Sequence, residues 1–162
     1  MEDFRFDLAS IEISRMSTGD IVRHASSHWR LGHARLAEKV LEIGLVHNPN
    51  SAYIINALVS YTLLRAQSSA FPLEMMYDLM DCAQLLSMAT RAYKCGKHRE
   101  KISRHEGRSL VLAERLFFIV KDHEHVLRGE KDFNELLNTV SKLLPHNPRD
   151  FKRAPRFETL SE

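Results

Sequence analysis

The apolar residues of this chain change rhythm once, near its start. Through the first sixteen positions Phe4, Phe6 and Leu8, then Ile11 and Ile13, alternate with charged or polar neighbours. That two-residue period predicts a short extended N-terminal arm over residues 1–16. From Thr18 the period lengthens to that of a helix. Ile21, Ala25 and Trp29 fall along one side, Ser17 or Thr18 can cap, and Asp20 lies in the first turn, where exposed amides favour a negative side chain. Gly32 marks the following turn. A second helix is expected over residues 34–46, striped by Leu36, Ala37, Val40, Leu41 and Leu45. It is stopped by "HNPN", because proline disfavours helix in the residue before it. The third, over residues 51–66, is apolar around much of its circumference and is expected at the centre.

"QSSAFP" breaks the third helix from a fourth over residues 73–93, with Met76, Met80, Ala83, Leu86 and Met88 as candidate core. After a turn near Gly96 a long fifth helix covers residues 100–127. Leu110, Ala113, Phe117 and Val120 mark one of its faces, and Leu112, Leu116 and Ile119 mark another, so it is expected to lie between neighbours. Gly129 ends it, and a sixth helix follows over residues 132–144. The pattern predicts an all-α fold in which about six helices form antiparallel hairpins, stacked as repeats or as an irregular bundle. The expected organisation is an arm at 1–16, a helical domain at 17–148 and a basic tail at 149–162.

A short echo runs through this domain. "HNP" stands at His47–Pro49 and again at His146–Pro148, three periods of ~33 residues apart, a spacing typical of helix-turn-helix repeats. The first copy carries more: Gly32 at the turn, Ala37, Leu41 and Gly44 along the helix, and Pro49 just past its end. Over residues 18–66 this resembles the tetratricopeptide repeat, which places small residues where two helix backbones cross closely. Ala25 and Trp29 are compatible with that pattern, whereas Ile21 and His24 depart from it. The resemblance implies that the first helices of each pair line a groove for a peptide or helix of a protein partner. On this chain it points to Arg23, Ser26, Trp29 and Arg30 on the first helix and to Tyr53, Asn56 and Ser60 on the third. An aromatic beside an arginine suits a recognition hot spot. The family's paired lysine and asparagine clamp for a terminal carboxylate is incomplete here.

Composition narrows the classes. With 44% apolar and 27% charged residues the chain is expected to fold rather than stay disordered. Its longest uncharged apolar stretch, Ala52–Leu64, is too short for a bilayer span, and "MEDFRFD" is unlike a secretory signal. A cytoplasmic protein without membrane contact is expected. Two cysteines, Cys82 and Cys95, read as reduced thiols.

The net charge of +2 says little, but its distribution says more. "RAYKCGKHREKISRHEGR" holds Arg91, Lys94, Lys97, Arg99, Lys101, Arg104 and Arg108 against two glutamates. Such a run serves either as a solvated turn or as a surface that neutralises nucleic-acid phosphates. No sequence-reading signature accompanies it.

For catalysis the chain offers no constellation: no glycine-rich phosphate loop, nucleophile elbow or dinucleotide fingerprint. His24 and His28 are one helical turn apart, a metal-compatible spacing that lacks a third ligand. Neither cofactor nor metal is expected. The leading expectation is a non-catalytic protein-binding adaptor or chaperone-like module within a larger complex. The alternative is a helical subunit of a nucleoprotein assembly that contacts phosphates through residues 91–108. So few repeats leave apolar end faces to be shared, so self-association or assembly is expected.

Overall fold

The computed structural model describes the backbone of residues 10–95 and 99–144, and the side chains of residues 10–91 and 104–144. Among these residues there is no strand; the fold is all-α. After α1 (residues 10–14) come α2 (Thr18–Arg30), α3 (Ala34–His47), α4 (Ala52–Gln67), α5 (Pro72–Cys95), α6 (Arg99–Asp122), α7 (Glu124–Leu127) and α8 (Phe133–Leu143).

The ends of the early helices follow local chemistry. Ser17 and Ser51 accept hydrogen bonds from the amides of Asp20 and Ile54, at 3.2 and 3.3 Å, and so cap α2 and α4. At the end of α2, Gly32 adopts φ +83°, a left-handed conformation that costs glycine little. Its amide donates to Trp29 and that of His33 to His28, which closes the last turn and reverses the chain into α3.

Residue pairs define the packing. Glu38, early in α3, meets Arg65, late in α4, and Arg65 meets Asp78, early in α5; consecutive helices therefore run antiparallel. Trp29 of α2 stacks on Tyr61 of α4, while Tyr53 and Asn56 of α4 meet His105 and Ser109 of α6. The result sets α2, α4 and α6 side by side, with α3 and α5 returning behind them and α8 packed on both α5 and α6.

As expected, α4 is central. Ile54 and Leu58 join Ile13, Ile21, Ala25, Ala37, Val40 and Leu41 in one apolar core. Ile55, Val59, Leu63 and Ala66 face a second, larger one with Leu79, Leu86, Leu112, Leu116, Ile119 and Leu136. A helix buried on two sides must be apolar around most of its girth. Ala37 and Gly44 both lie inside, and a methyl group on Gly44 would stand 2.6 Å from the Ile21 Cγ2 atom and 3.5 Å from the Ile54 Cδ1 atom. Glycine there lets α2 approach α3 closely.

Four local expectations are corrected. Residues 10–14 of the expected arm are helical rather than extended: Arg15 and Met16 amides donate to Glu12 and Ile13. Helical geometry sends Ile11 and Ile13 apart, so Ile13 is buried while Ile11 is 50% exposed; residues 1–9 lie outside the described residues. Leu36, placed in the α3 stripe, is exposed, as is Leu110 of α6. The long fifth helix breaks at His123, whose ring Nδ1 contacts the Ile119 carbonyl at 2.9 Å alongside its own amide, a side-chain intrusion that bends helices. The second "HNP" and the tail at 149–162 lie outside the described residues.

Glu38 is almost wholly buried and receives hydrogen bonds from Thr62 and Arg65, whose guanidinium also reaches Asp78 at 2.8 Å. One arginine thus ties α3, α4 and α5 together. Burial pushes the Asp78 carboxyl above its ordinary range, against the pull of Arg65. Replacing Arg65 with alanine strands a buried carboxylate, and urea unfolding should show a loss of about 3 kcal/mol. Gly44→Ala should also destabilise, by about 1 kcal/mol net, because the clash with stiff Ile21 outweighs the gain in helix propensity. In an Ile21→Ala background the same change should become neutral or stabilising, a coupling that a double-mutant cycle reads directly.

Candidate functional site

Side by side, α2, α4 and α6 present one common face. Its floor is a line on α4: Tyr53, Ala57 and Tyr61, one helical turn apart and each open to solvent in part. Two ring pairs border it. Trp29 stacks on Tyr61 with centroids 4.4 Å apart and planes at 15°, and Tyr53 lies 5.4 Å from the His105 ring. Between them Ala57 leaves a shallow step about 12 Å long, measured at the helical rise.

The residues expected in a groove divide into two groups. Arg23, Trp29, Arg30 and Tyr53 are exposed or half-exposed, and Ser26 is half-buried. Arg23 pairs with Asp20 and holds that carboxyl below its usual range by direct hydrogen bonding. Trp29 is both packed and accessible, since one ring face is spent on Tyr61. Asn56 and Ser60, by contrast, are buried and are corrected as contact residues. The Asn56 amide nitrogen donates to the His105 carbonyl at 3.1 Å, its oxygen accepts from the Ser109 hydroxyl at 2.7 Å, and the Ser60 hydroxyl donates to the Asn56 carbonyl. Asn56 therefore clamps α4 to α6 and is unavailable to a ligand.

Sequence reasoning missed Ala57, Tyr61 and His105. It selected the line 53, 56, 60 on α4, whereas the open line is 53, 57, 61, a rotation of less than a third of a turn. The signal existed: Tyr53 and Tyr61 are the two largest side chains with a polar tip on that helix, two turns apart.

Of the basic stretch, Arg91 and Arg104 are exposed and Arg108 is half-buried, with burial lowering the Arg108 pKa from its ordinary value. The side chains of Lys94, Lys97, Arg99 and Lys101 lie outside the described residues, as do those of Cys95 and His98. Cys82 is wholly buried among apolar neighbours, and burial pushes its thiol well up.

On the outer side of α2, His24 and His28 bring their Nε2 atoms to 3.3 Å, and the His33 ring lies 6.3 Å from that of His28. Among the described residues, no group of three or more histidine, cysteine or acidic side chains is placed to hold a metal. "DHEH" straddles the break between α6 and α7, with Asp122 and His125 exposed. No helix of the described residues is long and apolar enough to cross a membrane.

These features define an all-helical protein of packed antiparallel hairpins with an open aromatic face. No family model matches the chain, and no curated protein or solved structure matches it either.

The surroundings of His28 predict a pH-dependent stability. Burial first, then the neighbouring His24 and His33 rings, depress the His28 pKa below its ordinary 6.5, and its Nδ1 is buried without a hydrogen bond. Below pH 6.5 the unfolded ring protonates before the folded one, so the unfolded state binds more protons and stability falls with pH until the folded ring also titrates. Thermal unfolding followed across this window should show that decline, and His28→Gln should flatten it.

Proposed function

We propose that this chain is a non-catalytic protein-binding module, an adaptor or chaperone-like subunit of a larger cytoplasmic assembly, that holds a segment of a partner across α2, α4 and α6. One observation carries the reading: two partly exposed ring pairs, Trp29 with Tyr61 and Tyr53 with His105, flank the small Ala57 on a rigid, centrally buried helix. Aromatic side chains fixed by packing lose little freedom on binding, which is where interface energy concentrates. The step is long enough for two turns of helix or a short extended run. Arg30 and Arg104 are exposed on the helices of this face, so the partner segment combines apolar anchors with acidic flanks.

The adjacency of α2, α4 and α6, with α3 and α5 behind, supports reading the fold as a tetratricopeptide-like scaffold. A second reading, phosphate contact through residues 91–108, draws on the exposure of Arg91 and Arg104.

The test is affinity capture on immobilised protein followed by mass analysis. Tyr53→Ala and Trp29→Ala should each release the captured partner, at a cost of about 2 kcal/mol in the purified complex, while Val126→Ala, a partly exposed position on α7, should retain it. Capture unaffected by both aromatic changes rejects this face. Release of nucleic acid by salt, with protein capture unchanged, favours the second reading.

A further inference from the structure

The layer behind the aromatic face carries a different surface. Along α5, Leu73, Tyr77, Met80, Asp81 and Gln84 recur at three- and four-residue intervals and form one outward stripe. Leu73 is 50% and Tyr77 57% exposed, and Phe71, in the turn just before, is 65% exposed. Where this stripe meets the start of α8, a cleft of about 270 Å³ opens, with Met76, Tyr77 and Met80 as its apolar wall and Asp81, Asp132 and Glu135 at its mouth.

We infer that this cleft is a second docking site, which takes a lysine or arginine side chain presented by an amphipathic basic helix of a protein partner. Its volume suits one long side chain and sits at the lower edge of the range of about 300–1,000 Å³ typical of small-molecule pockets. The wall suits an aliphatic stem, since methionine thioethers adapt to what they contact and long cationic side chains bury their methylenes while the head stays polar. Tyr77 adds a ring face for the cation.

Charge selects the sign. Among the described residues, Asp81, Asp132 and Glu135 form no ion pair. Proximity to the α8 start accounts for part of the acidity, because negative groups are favoured there. It does not account for all of it. Asp132 makes no side-chain capping bond, and Asp81 belongs to a different helix, mid-course, where burial and the neighbouring Asp78 push its carboxyl up. Arg65 opposes that shift only in part, and a cation delivered from outside adds a direct partner for the exposed carboxylate. The apolar stripe running from Phe71 to Met80 then covers the apolar face of the helix that brings it.

This site is independent of the aromatic face, which is formed by α2, α4 and α6. It is tested on the full chain carrying ¹³C-methyl methionine, titrated with a short amphipathic leucine–lysine peptide and with its leucine–glutamate counterpart. The lysine peptide should shift the Met76 and Met80 methyl signals and leave Met16 unmoved. Replacing Asp81 and Glu135, both exposed, as Asp81→Asn with Glu135→Gln should weaken its binding about tenfold or more. Equal binding of the glutamate peptide, shifts centred on Met16, or an affinity unchanged in the double variant each overturn the proposal. Self-association of the chain alone that the double variant abolishes also overturns it, and assigns the cleft to a second copy.

Discussion

The architecture depends on how closely α2 and α3 can approach. At Gly44 the absence of a side chain lets the Ile21 Cγ2 atom sit where a methyl group would otherwise lie. Ile21 is fully buried and β-branched, so it cannot swing aside at low cost. This contact sets the depth of the first hairpin and, through Ile54, its seat on α4. With α2 held there, Trp29 reaches Tyr61; a wider spacing would separate the two rings and leave the face without its anchor.

Polar contacts then lock what apolar packing brings together. Arg65 joins Glu38 and Asp78 across three helices, and Asn56 spends both ends of its amide on α6. Both are high-stakes groups, since a buried charge or amide left without partners costs more than the bond itself contributes. They restrict the ways in which α3, α5 and α6 can pack around α4. A central helix fixed from both sides is a suitable platform for recognition, because side chains on its remaining open line are held before any ligand arrives.

The back of the scaffold carries a local cluster of acidic side chains. Asp81, Asp132 and Glu135 gather around the methionine cleft between α5 and α8. A net charge of +2 does not reveal this cluster. Two separate surfaces on one small helical body can engage two partners, or two segments of one, without competition between them.

Much of the fold was legible in the sequence. Helical periodicity, the cap at Ser17, the turn at Gly32 and the stop at "HNPN" are local features, decided within a few residues of each other, and the apolar girth of α4 marked it as central. The small residues Ala37 and Gly44 foretold a close crossing. What periodicity could not decide was which line of α4 stays open, because a helix apolar nearly all round has no single outward side until its neighbours arrive. Contact with α6 buried Asn56 and Ser60 and left Tyr53, Ala57 and Tyr61 open; contact with the first hairpin put Trp29 on Tyr61. Likewise, alternation near the start suggested a strand, yet docking of Ile13 into the first core accompanies helix at residues 10–14. Local sequence determined where helices begin and end. Only tertiary packing, which acts between residues far apart along the chain, decided the faces they show and the charges that meet at the α5–α8 cleft.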